Sequence, residues 1–219
     1  MNEIVYGRRP VAEAARGRRR IRRTWTADDT DSTELTRLAG SPDHQGIVAK
    51  VDPYPYADPE SLLGASDLLV VALDQVQDPH NLGAVCRSVE AAGGAGVVIP
   101  ERRSAAITAA VCKASAGAVE HLAVARVGNL ADWLGHAKQA GAWVYGADAD
   151  GAINYTDADL SGRVVLVLGS EGRGLRPRVA AGCDLIVAIP VRGRVGSLNV
   201  SAAAAALLFE SVRQRSHSQ

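Results

Sequence analysis

From Asp67 onward, short runs of Val, Ile and Leu alternate with segments of helical pattern, and this alternation constrains the fold more than any other feature of the chain. Strands without polar interruptions are typical of parallel sheets that helices cover on both faces. We therefore predict an α/β fold with such a sheet, and we expect ligands at the carboxyl ends of its strands. The predicted strands are Leu68–Leu73, Gly96–Ile99, His121–Val127, Ala142–Gly146, Val164–Leu168 and Leu185–Ile189, and the predicted helices are His80–Ala92, Ala105–Ala114, Asn129–Ala140, Leu175–Ala181 and Asn199–Gln214.

Composition excludes several classes of protein. With 219 residues, of which 47% are apolar, the chain is long enough for one domain of ordinary size and a small appendage. Cys86, Cys112 and Cys183 are far apart in apolar surroundings, so we interpret them as reduced thiols of a cytosolic protein. Neither a Cys/His cluster nor a long apolar stretch nor a signal peptide occurs, so we expect no metal, no membrane and a cytoplasmic location.

The chain divides into three parts by composition. We predict a small unit at residues 1–52, a proline-rich linker at 53–66 and the large α/β domain at 67–219. In the small unit we predict a helix from Pro10 to Arg16 and strands at Arg23–Trp25 and Gln45–Val51, separated by a polar stretch. Although the net charge is zero, eight arginines fall in the first 25 residues. A solvated surface explains such a patch, and so does a grip on RNA phosphates.

A first loop of chemical interest follows the strand that ends at Leu73. Asp78 caps the next helix, with Pro79 at its first position. Asn81 lies near the helix start, and Gly83 lies one helical turn before Arg87. Because glycine costs about 1 kcal/mol in a helix, we expect Gly83 to serve packing or to give the Arg87 side chain access to the helix start.

Two further loops contain several glycines. Gly169-Ser170-Glu171-Gly172-Arg173-Gly174 follows the most apolar strand, but its spacing fits neither a Rossmann motif nor a phosphate-binding P-loop. A carboxylate at Glu171 favours a ligand with positive charge or hydroxyl groups. The other loop runs from Pro190 to Asn199, contains Arg192 and Arg194, and leads into an alanine-rich helix. Ser197 and Asn199 are both suited to cap that helix or to bind a ligand.

Taken together, these motifs resemble the SpoU/TrmH family of RNA ribose 2′-O-methyltransferases. The resemblance covers residues 67–212 and consists of Asn81-Leu82-Gly83 with Arg87, then Leu168 to Leu175, then Ile189-Pro190 with Gly196 to Ser201. The front end, with Ile4-Val5-Tyr6-Gly7 and His44-Gln45-Gly46, is similar to the RNA-binding domain of the RlmB-like branch, which methylates a guanosine ribose in 23S rRNA. The interval between Trp25 and His44 is shorter than in that branch.

The resemblance implies a C-terminal deep trefoil knot, S-adenosylmethionine as methyl donor without a metal, and a homodimer formed through the knotted domain. It implies that the cofactor is held around Gly146, Gly169, Ile189 and Leu198. It also implies a reacting ribose surrounded by Asn81, Arg87, Glu171, Ser197 and Asn199. Under this interpretation the basic residues become candidates for RNA contact, and we single out Arg18, Arg19, Arg20, Arg192 and Arg194.

The family's usual role for Arg87 is to activate the 2′-hydroxyl, which raises a chemical question because a guanidinium stays protonated in proteins. One solution is a cationic, desolvated site that deprotonates Arg87. The other, which we favour, is that charged Arg87 stabilises the developing alkoxide while a substrate phosphate or a water takes the proton. Three alternatives to a 23S rRNA enzyme stay open: a tRNA ribose methyltransferase, an antibiotic-resistance rRNA methyltransferase, and an RNA-binding protein without catalytic activity.

Overall fold

A computed structural model describes residues 2–170 and 172–217. Its strands are β1 (Glu3–Tyr6), β2 (Ile21–Thr26), β3 (Ile47–Val51), β4 (Leu69–Asp74), β5 (Gly96–Pro100), β6 (Val124–Val127), β7 (Trp143–Ala147), β8 (Ile153–Asn154), β9 (Val164–Gly169) and β10 (Leu185–Ala188). Its helices are α1 (Arg8–Arg16), α2 (Ser32–Ala39), α3 (Pro79–Ala91), α4 (Ala109–Ala114), α5 (Leu130–Gln139), α6 (Pro177–Ala180) and α7 (Val200–His217). In this part of the chain, no helix is long and apolar enough to cross a membrane.

Seven strands form the large sheet in the order β6-β5-β4-β9-β7-β10-β8, and every neighbouring pair is parallel. The prediction of a parallel sheet is therefore confirmed. Strand β9 lies between β4 and β7, whereas β10, which follows β9 in the chain, lies beyond β7. After β10 the chain returns across the sheet, because α7 packs against α3 and β9. A knot stays a prediction from the resemblance.

Helices cover both faces of this sheet, as predicted. Along β4, Leu69, Val71 and Leu73 belong to a core shared with α3 and α7. The alternate residues Val70 and Ala72 belong to a second core that α5 closes. Because successive side chains of a strand point to opposite faces, an all-apolar strand serves both cores. Each large side chain that is fully buried contributes about 1.5–3 kcal/mol, and these two cores hold the strand ends in place.

A separate antiparallel sheet, β1-β3-β2, lies at the front of the chain together with α1 and α2. We call residues 2–52 the front unit and residues 67–217 the sheet unit. The sequence did not predict α2, which lies within the polar stretch. Asp31 starts this helix by accepting hydrogen bonds from the Thr33 and Glu34 nitrogens, and Gly40 ends it at φ 66°. The following segment is more than a linker, because Ala57 pairs with Ala125 and Pro59–Gly64 forms a 3₁₀ helix.

Other predicted boundaries shift for local reasons. Helix α4 begins at Ala109 rather than Ala105, because the Thr108 side chain caps it. Strand β6 begins at Val124 rather than His121, because His121 caps the end of a 3₁₀ helix at Ala118–Glu120. The cap of α5 is Asn129, as predicted.

Arg19 joins the front unit to the sheet unit through a buried ion pair. Its side chain is 1% exposed, and it donates to both carboxylate oxygens of Glu120 and to Glu3 Oε2 at 2.9 Å. Burial by itself would lower the pKa of Arg19, but hydrogen bonds and charge from Glu120 raise it above its ordinary value. The prediction that Arg19 contacts RNA is therefore wrong, because its guanidinium is enclosed by protein carboxylates and cannot reach a phosphate.

The two neighbouring arginines differ from Arg19. Arg18 donates to the Leu122 carbonyl across the same junction, while Arg20 is exposed. Tyr54, which follows β3, donates its hydroxyl to the Val119 carbonyl at 3.1 Å and the Leu122 carbonyl at 2.8 Å. The front unit and the segment that follows it are thus fixed to the sheet unit by several contacts. RNA contact by Arg18 and Arg20 stays a prediction.

Candidate functional site

A cavity of about 550 Å³ opens at the carboxyl ends of β7, β9 and β10, and we call it the edge cavity. Three parts of the chain form its wall: residues 147–150 after β7, residues 168–170 and 172–174 around the end of β9, and residues from 187 to 203 between β10 and the start of α7. Gly169, Ser197, Ile189 and Leu198, all singled out from the sequence, line it. The cavity therefore lies where ligands bind in parallel sheets.

Gly169 allows the second wall to fold back on itself. Ser170 pairs with Gly174 across the loop, and the Gly174 nitrogen donates to the Ser170 carbonyl at 3.1 Å. A Cβ on Gly169 would lie 2.6 Å from the Leu175 nitrogen and closer still to the Gly174 carbonyl, so no side chain fits there. Gly172 and Gly174 adopt φ values of 75° and 62°, a conformation that favours glycine. Glu171, predicted to be catalytic, lies outside the described residues.

Asp74, the last residue of β4, anchors the far end of this loop. Its side chain is fully buried and accepts from the Arg176 backbone nitrogen at 2.9 Å and from Arg176 Nε at 2.7 Å. Charge-assisted hydrogen bonds of this kind are stronger than neutral ones. The loop between β9 and α6 is thus held to the end of β4, the neighbour of β9 in the sheet, and the glycine-rich segment that lines the edge cavity has both ends fixed.

The third wall leads directly into α7, and Asn199 starts that helix. The Asn199 side-chain oxygen accepts from the Ser201 nitrogen at 2.8 Å and from the Ser201 hydroxyl at 2.6 Å. Its amide nitrogen donates to Asn81 Oδ1 at 2.9 Å. The structure thus brings two predicted site residues together across 118 positions and assigns the capping role to Asn199. Ser197 lines the edge cavity instead.

Arg87 lies on α3 and is exposed, and it does not line the edge cavity. The role of Gly83 is not to give the Arg87 side chain access to the helix start. A Cβ on Gly83 would lie 2.5 Å from the Ala114 Cβ and 3.0 Å from the Ser115 nitrogen. The glycine is therefore required for close packing of α3 on α4, which is the packing explanation that the sequence left open.

Asp148 and Asp150 were missed by the sequence analysis, although both line the edge cavity. Their position directly after a parallel strand could have identified them. Gly146, which was predicted to hold the cofactor, lies just below the cavity, where a Cβ would be 2.6 Å from Ile186 Cδ1. Ala147 lines the wall in its place. Gly146 therefore contributes by allowing close packing under the cavity floor.

The wall combines apolar and polar groups, so its lining fits a ligand that has both. Leu168, Ile189 and Leu198 supply apolar surface, while Asp148 and Asp150 supply carboxylates. Such a lining accepts a flat apolar group together with hydroxyl or cationic groups. Within residues 2–170 and 172–217, no group of three or more His, Cys, Asp or Glu side chains could hold a metal ion.

Cys183 and the two arginines of the third loop complete the description of this edge. Burial raises the pKa of the Cys183 thiol to about 12, so this cysteine is a neutral packing residue beneath Gly146. Arg192 and Arg194 are exposed on the third loop and do not line the cavity. RNA contact by these two arginines stays a prediction.

Comparison with known proteins identifies relatives of the whole chain. The sequence profile of the SpoU rRNA methylase family matches residues 68–209. An uncharacterized tRNA/rRNA methyltransferase of Mycolicibacterium vanbaalenii is 42% identical over an alignment that covers 97% of this chain and 77% of that protein. The putative TrmH family tRNA/rRNA methyltransferase YacO of Bacillus subtilis is 36% identical, with 98% of this chain and 96% of YacO covered.

A solved structure shows the same architecture. The SpoU methyltransferase AviRb from Streptomyces viridochromogenes, in complex with AdoMet, superposes with a TM-score of 0.85 at 26% identity, covering 98% of this chain and 90% of AviRb. The profile match includes β4, both glycine-containing loops and most of α7. Because the profile spans more than half of the chain and two relatives exceed 30% identity over nearly its full length, the protein belongs to the SpoU rRNA methylase family.

Proposed function

We propose that this protein transfers a methyl group from S-adenosylmethionine to a ribose 2′-hydroxyl in RNA, with a guanosine of 23S rRNA as the target. The observation that carries the proposal is the edge cavity, since two of the three motifs that resemble the family build its walls. The third motif is joined to them through the hydrogen bond between Asn199 and Asn81. The guanosine target rests on the likeness of the front unit to the RlmB-like branch.

The residues of the edge cavity fit S-adenosylmethionine. The cavity, at about 550 Å³, is within the size range of small-molecule sites. Leu168, Ile189 and Leu198 would hold the adenine, while the absence of a side chain at Gly169 lets backbone groups approach it. Asp148 and Asp150 would face hydroxyl and cationic groups of the ligand. When bound, S-adenosylmethionine supplies an electrophilic methyl group on a sulfonium.

The chain's own residues would position the ribose and manage its proton. The Asn81–Asn199 pair at the starts of α3 and α7 fixes two amide groups in one orientation, and the ribose would lie beside this pair. The Arg87 guanidinium would stabilise the oxygen as negative charge develops there. The 2′-hydroxyl proton leaves to a neighbouring phosphate of the RNA or to a water. Ser197 would contact the ribose from the cavity wall.

The protein would work as a homodimer formed through its sheet unit, with an active site that takes residues from both protomers, as the family resemblance implies. Exposed apolar side chains support an interface, since Trp143 is 56% and Phe209 is 50% exposed. Sedimentation velocity tests this proposal directly. A single species at twice the monomer mass is expected, and a monomer at all protein concentrations would contradict it.

The function is tested by methyl transfer from S-adenosylmethionine labelled on its methyl group. The protein is incubated with unmodified rRNA and, separately, with unmodified tRNA, and the RNA is digested to nucleosides. We expect label in 2′-O-methylguanosine from rRNA. Label in 2′-O-methyl nucleosides of tRNA alone would favour the tRNA alternative, and label on a base would refute ribose methylation. Donor binding without transfer to either RNA would favour an RNA-binding protein without catalytic activity.

A further inference from the structure

A second cavity lies where the front unit meets α4, and we call it the basic cavity. It measures about 580 Å³ and shares no lining residue with the edge cavity. Its wall consists of Arg8, Arg9 and Pro10 at the start of α1, Gln45 before β3, and Lys113 and Ala116 in and after α4. The two arginines come from the front unit and the lysine from the sheet unit, so the cavity exists only when the units are docked.

The charges in this wall are not compensated. Three cationic side chains line it and, within the described residues, no carboxylate does. Among the described residues, Arg8 Nε and Lys113 Nζ are hydrogen-bonded to backbone carbonyls alone, those of Gln45 at 3.4 Å and Asp43 at 2.9 Å. The Arg9 side chain, which lines the cavity, makes no hydrogen bond or ion pair with any residue among 2–170 and 172–217. Most donors of the three side chains are therefore available to a ligand.

The positions of these cations are built into the local fold. Gly7 has φ 95°, a conformation that favours glycine, and it turns the chain from β1 into α1 beside the Lys113 ammonium. The Lys113 ammonium also lies 5.8 Å from the centre of the Tyr6 ring. Gln45, in a left-handed conformation at φ 54°, accepts from the Arg8 backbone nitrogen at 3.1 Å. These contacts hold cations from the two units on the wall of one cavity.

We propose that the basic cavity binds phosphodiester groups of the substrate RNA and thereby bridges the two units. This inference rests on the proposed function, since the substrate of that reaction is a polyanion. Arginine and lysine are the side chains that bind phosphate, and no described carboxylate lines this cavity. An acidic protein partner carries the same sign of charge, but RNA is the polyanion that this family acts on, so RNA is the occupant we propose.

The structure also changes which arginines of the basic front end would grip RNA. Arg19 is buried and paired with Glu120, so it is not available to RNA. Arg8 and Arg9 are exposed beside a lysine of the sheet unit. The buried Arg19–Glu120 ion pair would then serve the basic cavity indirectly, because it fixes the docking that brings Lys113 to the arginines.

The test measures RNA binding by the double variant R9Q/K113Q, the single variant R9Q and a matched control, R37Q. Arg37 lies on α2 of the same front unit, is 71% exposed and is paired with Glu34, so R37Q removes one positive charge outside the cavity. Binding of a labelled single-stranded RNA of about 20 nucleotides is followed by fluorescence anisotropy from about 50 to 200 mM salt. Full-length protein is used throughout.

Each lost contact with a single-stranded phosphate lowers the slope of log K against log salt by about 0.7. We therefore expect the R9Q slope to fall by about 0.7 and the R9Q/K113Q slope by about 1.4, with affinities at 0.1 M salt about 5-fold and 25-fold lower. The control R37Q is expected to match the wild type. Equal affinities and slopes for R9Q/K113Q and R37Q would overturn the proposal. If the double variant R9Q/K113Q has a lower melting temperature than the wild type, the binding result for R9Q alone decides whether the proposal stands.

Methyl transfer separates this inference from the proposed function. R9Q/K113Q is expected to raise KM for RNA while kcat is retained, because the basic cavity shares no residue with the edge cavity. If the wild type transfers no methyl group to rRNA or tRNA, the proposed function fails, whereas the binding series still decides on the phosphate site. If transfer occurs and the variants bind RNA as the wild type does, the inference fails and the function stands.

Discussion

The substitution G169A tests whether the glycine-rich loop forms the wall of a donor site. A methyl group on Gly169 would lie 2.6 Å from the Leu175 nitrogen, where real Cβ atoms are never closer than about 3.0 Å, and closer still to the Gly174 carbonyl. The neighbouring atoms are backbone, so they cannot move aside as a flexible side chain would. Residues 174–175 must therefore shift by about 1 Å, and overpacking of this kind costs about 1–3 kcal/mol.

Much of that cost should appear as lost affinity, because the displaced segment lines the edge cavity. A penalty of 1–3 kcal/mol corresponds to a dissociation constant for S-adenosylmethionine that is about 5- to 150-fold higher. Isothermal titration calorimetry measures this constant, and thermal denaturation checks that the variant is folded. The matched control is G193A, since a Cβ on Gly193 meets no atom within 4 Å and Gly193 does not line the cavity.

The reasoning would be refuted if G169A bound S-adenosylmethionine as tightly as G193A and the wild type. That result would mean that the loop after β9 does not form the donor site. A loss of affinity in G193A equal to that in G169A would also contradict the account, because it would show that any added methyl group in these loops has the same effect.

The remaining predictions concern the ion pair, the helix start and the acid stability. R19M should lower the free energy of unfolding by about 3–5 kcal/mol, because it leaves a buried carboxylate uncompensated; urea denaturation measures this, and R20M, at an exposed position, should be close to neutral. N199A should destabilise the protein by about 0.5–2 kcal/mol through loss of the α7 cap, and it should also abolish methyl transfer, which a purely structural residue would not do. Hydrogen bonds from two α7 side chains lower the pKa of Glu210 from 4.5 to about 2. The contribution of Glu210 to stability is therefore complete above pH 4.5 and is lost as the pH falls toward 2. The difference in free energy of unfolding between the wild type and E210Q should shrink over that range. A difference independent of pH would contradict the assignment.

The sheet was predictable because its strands carry their own evidence. Strands β4 and β9 carry apolar residues on both faces. The sequence of each strand alone therefore indicates a sheet between two cores, before the neighbouring strands and helices are known. Helix α2 was missed because only Leu35 and Leu38 mark its apolar side, while Asp, Ser and Thr dominate its start. The evidence was nevertheless present, since Asp31 with Glu34 and Gly40 form start and stop motifs of a helix.

The site was predicted in part, and the failures have a common cause. Gly169, Ile189, Ser197 and Leu198 line one cavity because the ends of parallel strands meet at one edge, which the sequence order implies. The burial of Arg19 depends on Glu120, which is 101 positions away, and composition cannot indicate such a pairing. In the same way, a basic cavity shared by α1 and α4 becomes visible only when the docking of the two units is known.

A crystal structure of the protein with S-adenosylmethionine tests the central claim most directly. The account predicts that the adenine lies against Leu168, Ile189 and Leu198, with the sulfonium methyl directed toward the side of the cavity where Asn199 begins α7. A donor bound elsewhere, or one that leaves the wall formed by residues 168–170 and 172–174 without contact, would contradict the account.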